Sequence, residues 1–151
     1  MAGFMSGLRS FRYEGKYKNG TGADLPNGYL VAITPVTDGG VTEMKITLPA
    51  AAGGVFRVIR KRAVYEGEEG LECMVENPNG LCLVENLILT NDSNESWDGR
   101  DWTIPKDALC RVHVLEAGEY IVTDAFTGTY VSVAEGDKLK AATTGKLIPA
   151  T

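Results

Sequence analysis

Cys110-x-x-His113, taken with Cys73 and Cys82, supplies the donor atoms of a three-cysteine, one-histidine zinc site. The spacing speaks against one. Arg111-Val112-His113-Val114 reads as a strand, and residues an odd number apart on a strand face opposite ways. Cys73 and Cys82 have no close partner cysteine and are flanked by Leu, Met or Val, which suits small buried apolar residues. A second metal pattern, Asp92-x-Asn94-x-Ser96-x-Asp98, matches the opening of a calcium loop. The EF-hand form then needs glycine at its sixth place and glutamate at its twelfth, and those places hold Trp97 and Thr103. No metal and no other cofactor is expected.

His113 is the only histidine, and as a general base it would need a positioned partner that the sequence does not identify. There is no nucleophile elbow, zinc-protease motif, phosphate-binding glycine loop or dinucleotide fingerprint. Glu66, Glu68, Glu69 and Glu72 cluster in the manner of a solvated loop. The chain therefore reads as a non-enzyme. "RVIRKR", Arg57 to Arg62, places four basic residues in six. It reads as a charged strand edge that discourages stray pairing, or as a contact patch for an acidic partner.

Two segments remain as binding candidates. "NDSNESWDGRDWTIPKD", Asn91 to Asp107, is the longest irregular stretch, and such loops are often functional. Trp97 and Trp102 with Asp98 and Asp101 would make a sugar-stacking face on a carbohydrate-binding β-sandwich, or simply pin the loop. Ahead of residue 28, Phe4, Phe11, Tyr13 and Tyr17 interleave with Arg9, Arg12, Lys16 and Lys18. Aromatic and arginine side chains concentrate binding energy at interfaces, whereas plain disordered tails are poor in aromatics. This lead reads as an arm lying on another subunit, or as an N-terminal strand completing its own barrel; both readings suit different parts of it.

Whole-chain properties narrow the class. One domain fits 151 residues, with 44% hydrophobic and 23% charged side chains. The net charge of −5 disfavours nucleic acid as partner. It is unevenly spread: residues 1–27 carry a net +2, leaving −7 on the rest. Three cysteines, an odd count, with no apolar signal core and no long apolar run, point to a reducing cytoplasm and no membrane span. Asn19-Gly20-Thr21 matches a glycosylation sequon, which means little without a secretory signal.

Short alternating runs broken by turns dominate the chain. Gly28–Val36 and Val41–Leu48 read as a hairpin around Asp38-Gly39-Gly40. Leu71–Glu76 and Leu81–Glu85 read as a second hairpin around Asn77-Pro78-Asn79-Gly80, with Leu87–Thr90 extending it. Val55–Arg60, Cys110–Glu116, Glu119–Ala125, Thr129–Val133, Lys138–Ala142 and Lys146–Ile148 read as further strands. The expected fold is all-β: a compact β-barrel or β-sandwich of short antiparallel strands over residues 28–151, with residues 1–27 as an extended N-terminal arm.

The "GKY" lead, "ADLPNGYLVAI" after it and the closing "GTYVSVAEGDKLKAATTGKL" together resemble the head decoration, or cement, proteins of tailed bacteriophages. That resemblance implies a non-enzymatic virion protein made in the bacterial host cytoplasm. It implies binding, as a homotrimer, to the outer surface of an icosahedral head between major capsid protein subunits. The resemblance carries over no site residues; from the composition of the lead, Phe4, Arg9, Phe11, Arg12, Tyr13, Lys16 and Tyr17 are the expected capsid-binding residues, with neither nucleic acid nor membrane as partner.

Overall fold

The computed structural model describes residues 4–6, 12–62, 69–86 and 103–150. Its strands in chain order begin with β1 (Phe4–Ser6), β2 (Arg12–Asn19), β3 (Leu25–Pro26), β4 (Leu30–Asp38) and β5 (Val41–Thr47). They continue with β6 (Gly53–Lys61), β7 (Leu71–Asn77), β8 (Cys82–Asn86), β9 (Thr103–Ile104) and β10 (Leu109–Val114). Last come β11 (Tyr120–Thr123), β12 (Lys138–Ala141) and β13 (Leu147–Pro149). Helix among the described residues is limited to one 3₁₀ turn, Tyr130–Ser132, where the sequence pattern suggested a strand. The all-β expectation is met.

Five strands close into a barrel in the order β10-β2-β5-β4-β8, and six form a sheet in the order β1-β11-β7-β6-β12-β13. The six-stranded sheet curls back on itself. Leu147 of β13 donates its N–H to Ala125 and accepts one from Thr127, both at 2.9 Å, just past the end of β11. Each unit wraps its own core. Phe56, Val58, Leu71, Cys73, Val75, Ile121, Leu139 and Leu147 fill the curled sheet. Val31, Ile46, Cys82, Val84, Cys110 and Val112 fill the barrel, with Leu25 and Ile104 from the small β3–β9 pair.

A shared wall joins the two cores. In β4 and β8 the register pairs Leu30 with Leu83 and Val31 with Cys82. Because successive strand residues face opposite ways, Leu30 and Leu83 enter the first core while Val31, Cys82 and Val84 enter the second. Strands buried on both faces read as continuous apolar runs, and "GLCLV", Gly80–Val84, is such a run. The junction is tight: Leu30 N–H donates to the Gly145 carbonyl at 2.8 Å, and Thr123 Oγ1 donates to the Gly28 carbonyl at 3.2 Å. Gly145 has φ +86°, and a Cβ there would lie 3.1 Å from the Leu30 carbonyl and 3.0 Å from the Tyr29 ring, so only glycine fits.

Two expectations are corrected by this topology. The turn at Asn79-Gly80 forms, with φ +52° and +74°, yet β7 and β8 do not pair. β7 lies between β6 and β11, whereas β8 lies between β4 and β10, so the turn is a corner leading from one unit into the other. The domain also does not start at residue 28. β2 is a stave of the barrel, antiparallel to β10 from Lys18–Leu109 to Arg12–Val114 and parallel to β5 at Lys18 and Asn19. Of the two readings of the lead, residues 12–19 follow the one in which it completes its own barrel.

Asn19 anchors that stave. Its side chain is fully buried, and Nδ2 donates to the carbonyls of Ala23, Ile104 and Pro105 at 2.9, 3.1 and 3.3 Å. Its Oδ1 accepts from Thr21 N and Thr21 Oγ1 at 3.1 and 2.7 Å. Both residues that give the Asn19-Gly20-Thr21 sequon its identity are thus consumed in tying the end of β2 to the chain entering β10.

Candidate functional site

The candidate zinc atoms are not brought together. Cys73 lies in the first core, Cys82 and Cys110 in the second, and all three are free and buried. Among the described residues no group of three or more metal-binding side chains converges. Cys110 donates its S–H to the Tyr17 carbonyl at 3.3 Å. Burial pushes the Cys110 thiol up to about 12; burial, then the Glu72 charge, do the same to Cys73. The folded chain thus holds these thiols protonated where an unfolded one would ionise. Their contribution to stability is whole below the ordinary thiol value near 9.0 and is lost as pH rises from there toward 12. Unfolding free energies from denaturant titrations between pH 8 and 10.5 are expected to fall above pH 9, by about 1 kcal/mol per pH unit for each thiol. A flat profile would mean that the thiolates form within the fold.

His113 is half-buried on β10, beside Tyr13 and Leu83 in the register, while Cys110 and Val112 point inward. The "RVIRKR" segment is paired with β7 along one side, and with β12 on the other only as far as Arg57. β6 lies between β7 and β12. Arg57 grips Glu76 through two hydrogen bonds of 3.1 and 3.2 Å, and Arg60 and Arg62 converge on the buried Glu72 carboxylate at 3.0 and 3.1 Å. Lys61 sits 4.9 Å over the Tyr130 ring and donates to the Val131 carbonyl. Its four cations are spent on the molecule's own surface. Glu72 is correspondingly a buried strand residue, not part of a solvated acidic loop; Glu66 and Glu68 lie outside the described residues.

Of the expected capsid-binding residues, Arg9 and Phe11 lie outside the described residues. Phe4 belongs to β1, and Arg12, Tyr13, Lys16 and Tyr17 belong to β2, with Tyr17 packed against the barrel core. The described backbone that was to form a free arm is therefore committed to a sheet and a barrel. The alternative sugar-binding residues Trp97, Asp98, Asp101 and Trp102 lie outside the described residues, as do the Asp92–Ser96 calcium-like pattern and the Leu87–Thr90 strand extension.

The element that stands free is the β4–β5 hairpin. β4 pairs with β8 only at Leu30 and Val31, and β5 with β2 only at Lys45 and Ile46. Beyond those points Thr34–Asp38 and Val41–Met44 pair only with each other among the described residues. The result is a two-stranded ribbon projecting past the barrel rim. Gly39 and Gly40, with φ +58° and +80°, close its tip with the primed backbone twist that two-residue hairpins need. Thr37 and Thr42 share a hydroxyl hydrogen bond of 2.7 Å across it, and Thr34 and Thr47 one of 2.9 Å.

The ribbon carries its apolar residues in the open. Val41 is 65% exposed and Met44 is 48% exposed. Strand alternation puts Pro35 and Met44 on the face continuous with Ile33 and Ile46, and Val36 and Val41 on the other with Asp38 and Glu43. Glu43 lies 3.6 Å from Lys45 and 3.8 Å from Lys18, a charged collar at the ribbon's base. Pro35 removes one N–H from the outer edge of β4, which blunts stray strand addition there. The hairpin itself was legible from Asp38-Gly39-Gly40 and its flanking alternation. Its projection was not, because it depends on where β2 and β8 stop pairing.

Among the described residues no helix is long and apolar enough to cross a membrane. No family model matches the chain, and neither a curated protein nor a solved structure matches it.

Proposed function

We propose that this protein is a non-enzymatic virion structural protein that binds the outer surface of an icosahedral phage head and stabilises the capsid lattice, with the β4–β5 ribbon as its docking element. The observation that supports this reading is the ribbon itself, an apolar-bearing projection on a body with two packed cores. Val41 and Met44 lie on opposite faces, so a partner covers both by receiving the ribbon in a groove between major capsid protein subunits. A ligand that binds only the assembled lattice stabilises that lattice by mass action. Modest contacts repeated around a closed shell reinforce one another through high effective concentration.

Co-sedimentation with heads assembled from the cognate major capsid protein tests the proposal. The Val41→Asp, Met44→Asp double variant is expected to keep its unfolding free energy within about 0.5 kcal/mol, because both side chains are exposed. It is expected to lose head binding at least tenfold. Undiminished binding by the variant would remove the ribbon from the interface. Failure of the unaltered protein to sediment with heads would remove the virion reading altogether.

A further inference from the structure

The geometry points to Asn79 as a site of spontaneous covalent modification: its side-chain amide closes onto the Gly80 nitrogen and is converted to aspartate and β-aspartate while the chain stays folded. The chemistry needs no reactant but water. The Gly80 nitrogen gives up its proton to base and attacks Asn79 Cγ, the Cγ–Nδ2 bond breaks, and ammonia leaves a succinimide ring. Water then opens the ring at one of its two carbonyls. Opening at Cγ gives aspartate; opening at the main-chain carbonyl gives β-aspartate, with the backbone rerouted through Cγ. In both products one NH has been exchanged for one O, and a negative charge has been gained.

Glycine after asparagine favours this closure, because a Cβ on the following residue crowds the attacking nitrogen. Three Asn-Gly pairs occur, at Asn19, Asn27 and Asn79; the other asparagines precede Pro, Leu, Asp or Glu. The fold disarms two of the three. Gly20 N–H donates to the Ile46 carbonyl at 2.8 Å, and Gly28 N–H to the Val84 carbonyl at 3.0 Å. Asn19 and Asn27 are both buried, and the Asn19 amide is bonded at its nitrogen and its oxygen. Asn79 and Gly80 are instead exposed. Among the described residues neither the Gly80 N–H nor the Asn79 carboxamide has a hydrogen-bond partner. The carboxamide lies over Gly53, where a Cβ would stand 2.5 Å from Nδ2, so a bare glycine gives it room. The turn itself is closed by Leu81 N–H on the Pro78 carbonyl at 2.9 Å. Asn79 must rotate out of this turn for the ring to form, and the rotation falls between the end of β7 and the start of β8. Exposed turns open at the low end of a fold's local stabilities, whereas Asn19 and Asn27 react only when buried structure opens. β-Aspartate here adds a main-chain carbon to the corner that joins the two units. The inference does not rest on the phage-head reading.

The test ages the full chain at neutral and at mildly alkaline pH, then locates modified residues by proteolysis and tandem mass spectrometry. The NH-to-O mass gain is expected at Asn79, faster at the higher pH, and about tenfold or more ahead of Asn19 and Asn27. Asp38-Gly39 isomerises through the same ring without a mass gain, so it is not confused with this event. The chain aged in guanidinium is expected to lose the ordering, with all three pairs reacting alike. Asn79→Gly suits the positive φ of 52° and removes the amide, so it should suppress the first acidic species on ion exchange. An Asn79 that stays intact in the folded chain while converting in guanidinium would overturn the proposal. So would Asn19 or Asn27 reacting as fast as Asn79 in the folded chain, or an early acidic species unchanged in Asn79→Gly.

Discussion

Asn19→Leu is expected to lower unfolding free energy by about 4 kcal/mol. Leucine nearly matches the volume but strips the carbonyls of Ala23, Ile104 and Pro105 of their donor and Thr21 of its acceptor. Each buried group left unsatisfied costs roughly 1–3 kcal/mol, and the bond to the Ile104 carbonyl is wholly inside. Domains of this size are typically stable by about 5–15 kcal/mol, so the variant stands near the edge of folding. Urea titration should show a lower midpoint at an unchanged slope. Thr21→Val, which touches only the acceptor side, is expected to cost about 1 kcal/mol. Were Asn19→Leu to cost less than Thr21→Val, the end of β2 would have to be held by something other than this amide.

Leu83→Ala is expected to cost about 3–4 kcal/mol and to weaken both cores equally. The direct loss follows from deleting a fully buried leucine from a packed core. The equal weakening follows from position. Leu83 enters the first core, while its chain neighbours Cys82 and Val84 enter the second, so the strand cannot shift on one side alone. Cys73 and Cys110 report the two cores separately by their reaction with a thiol reagent across a denaturant series. Their midpoints should coincide in the parent and move together in the variant, as a single cooperative transition requires. A shift at Cys73 with Cys110 unmoved would show that the barrel folds on its own.

Much of the strand content was legible because turn chemistry is local. Gly39 and Gly40 adopt the positive φ that the sequence implied, and β4 and β5 pair around them. The turn at Asn79-Gly80 was equally legible, but the pairing across it was not. β7 turns Leu71, Cys73 and Val75 to the first core alone, whereas β8 carries apolar residues on both faces, and which face meets which core depends on β4 and β10. The paired glutamates of Arg57, Arg60 and Arg62 lie on the neighbouring strand β7, out of reach of local reasoning. The lead misled for a physical reason. Glycine-broken, mixed aromatic and basic sequence suits an adhesive arm, and it suits equally a barrel stave. Glu14 and Lys16 sit opposite consecutive residues of β10, so Gly15 is the extra residue of a bulge, a normal place for glycine in a strand.

The barrel is sealed by two strands far apart in the chain, β2 and β10. Tyr17 and Cys110, joined by a hydrogen bond, are 93 residues apart in sequence. A nascent chain leaving the ribosome therefore has no β10 against which to dock β2 until the strands between them have been made. Contacts this distant also slow the search for the native state, because the entropy of closing so large a loop is lost before any contact compensates it. Refolding on the millisecond-to-second scale of non-local β proteins is the kinetic signature to expect. During synthesis β2 and β8 wait with one flank open until β10 arrives, and a holding chaperone has its clearest opportunity there.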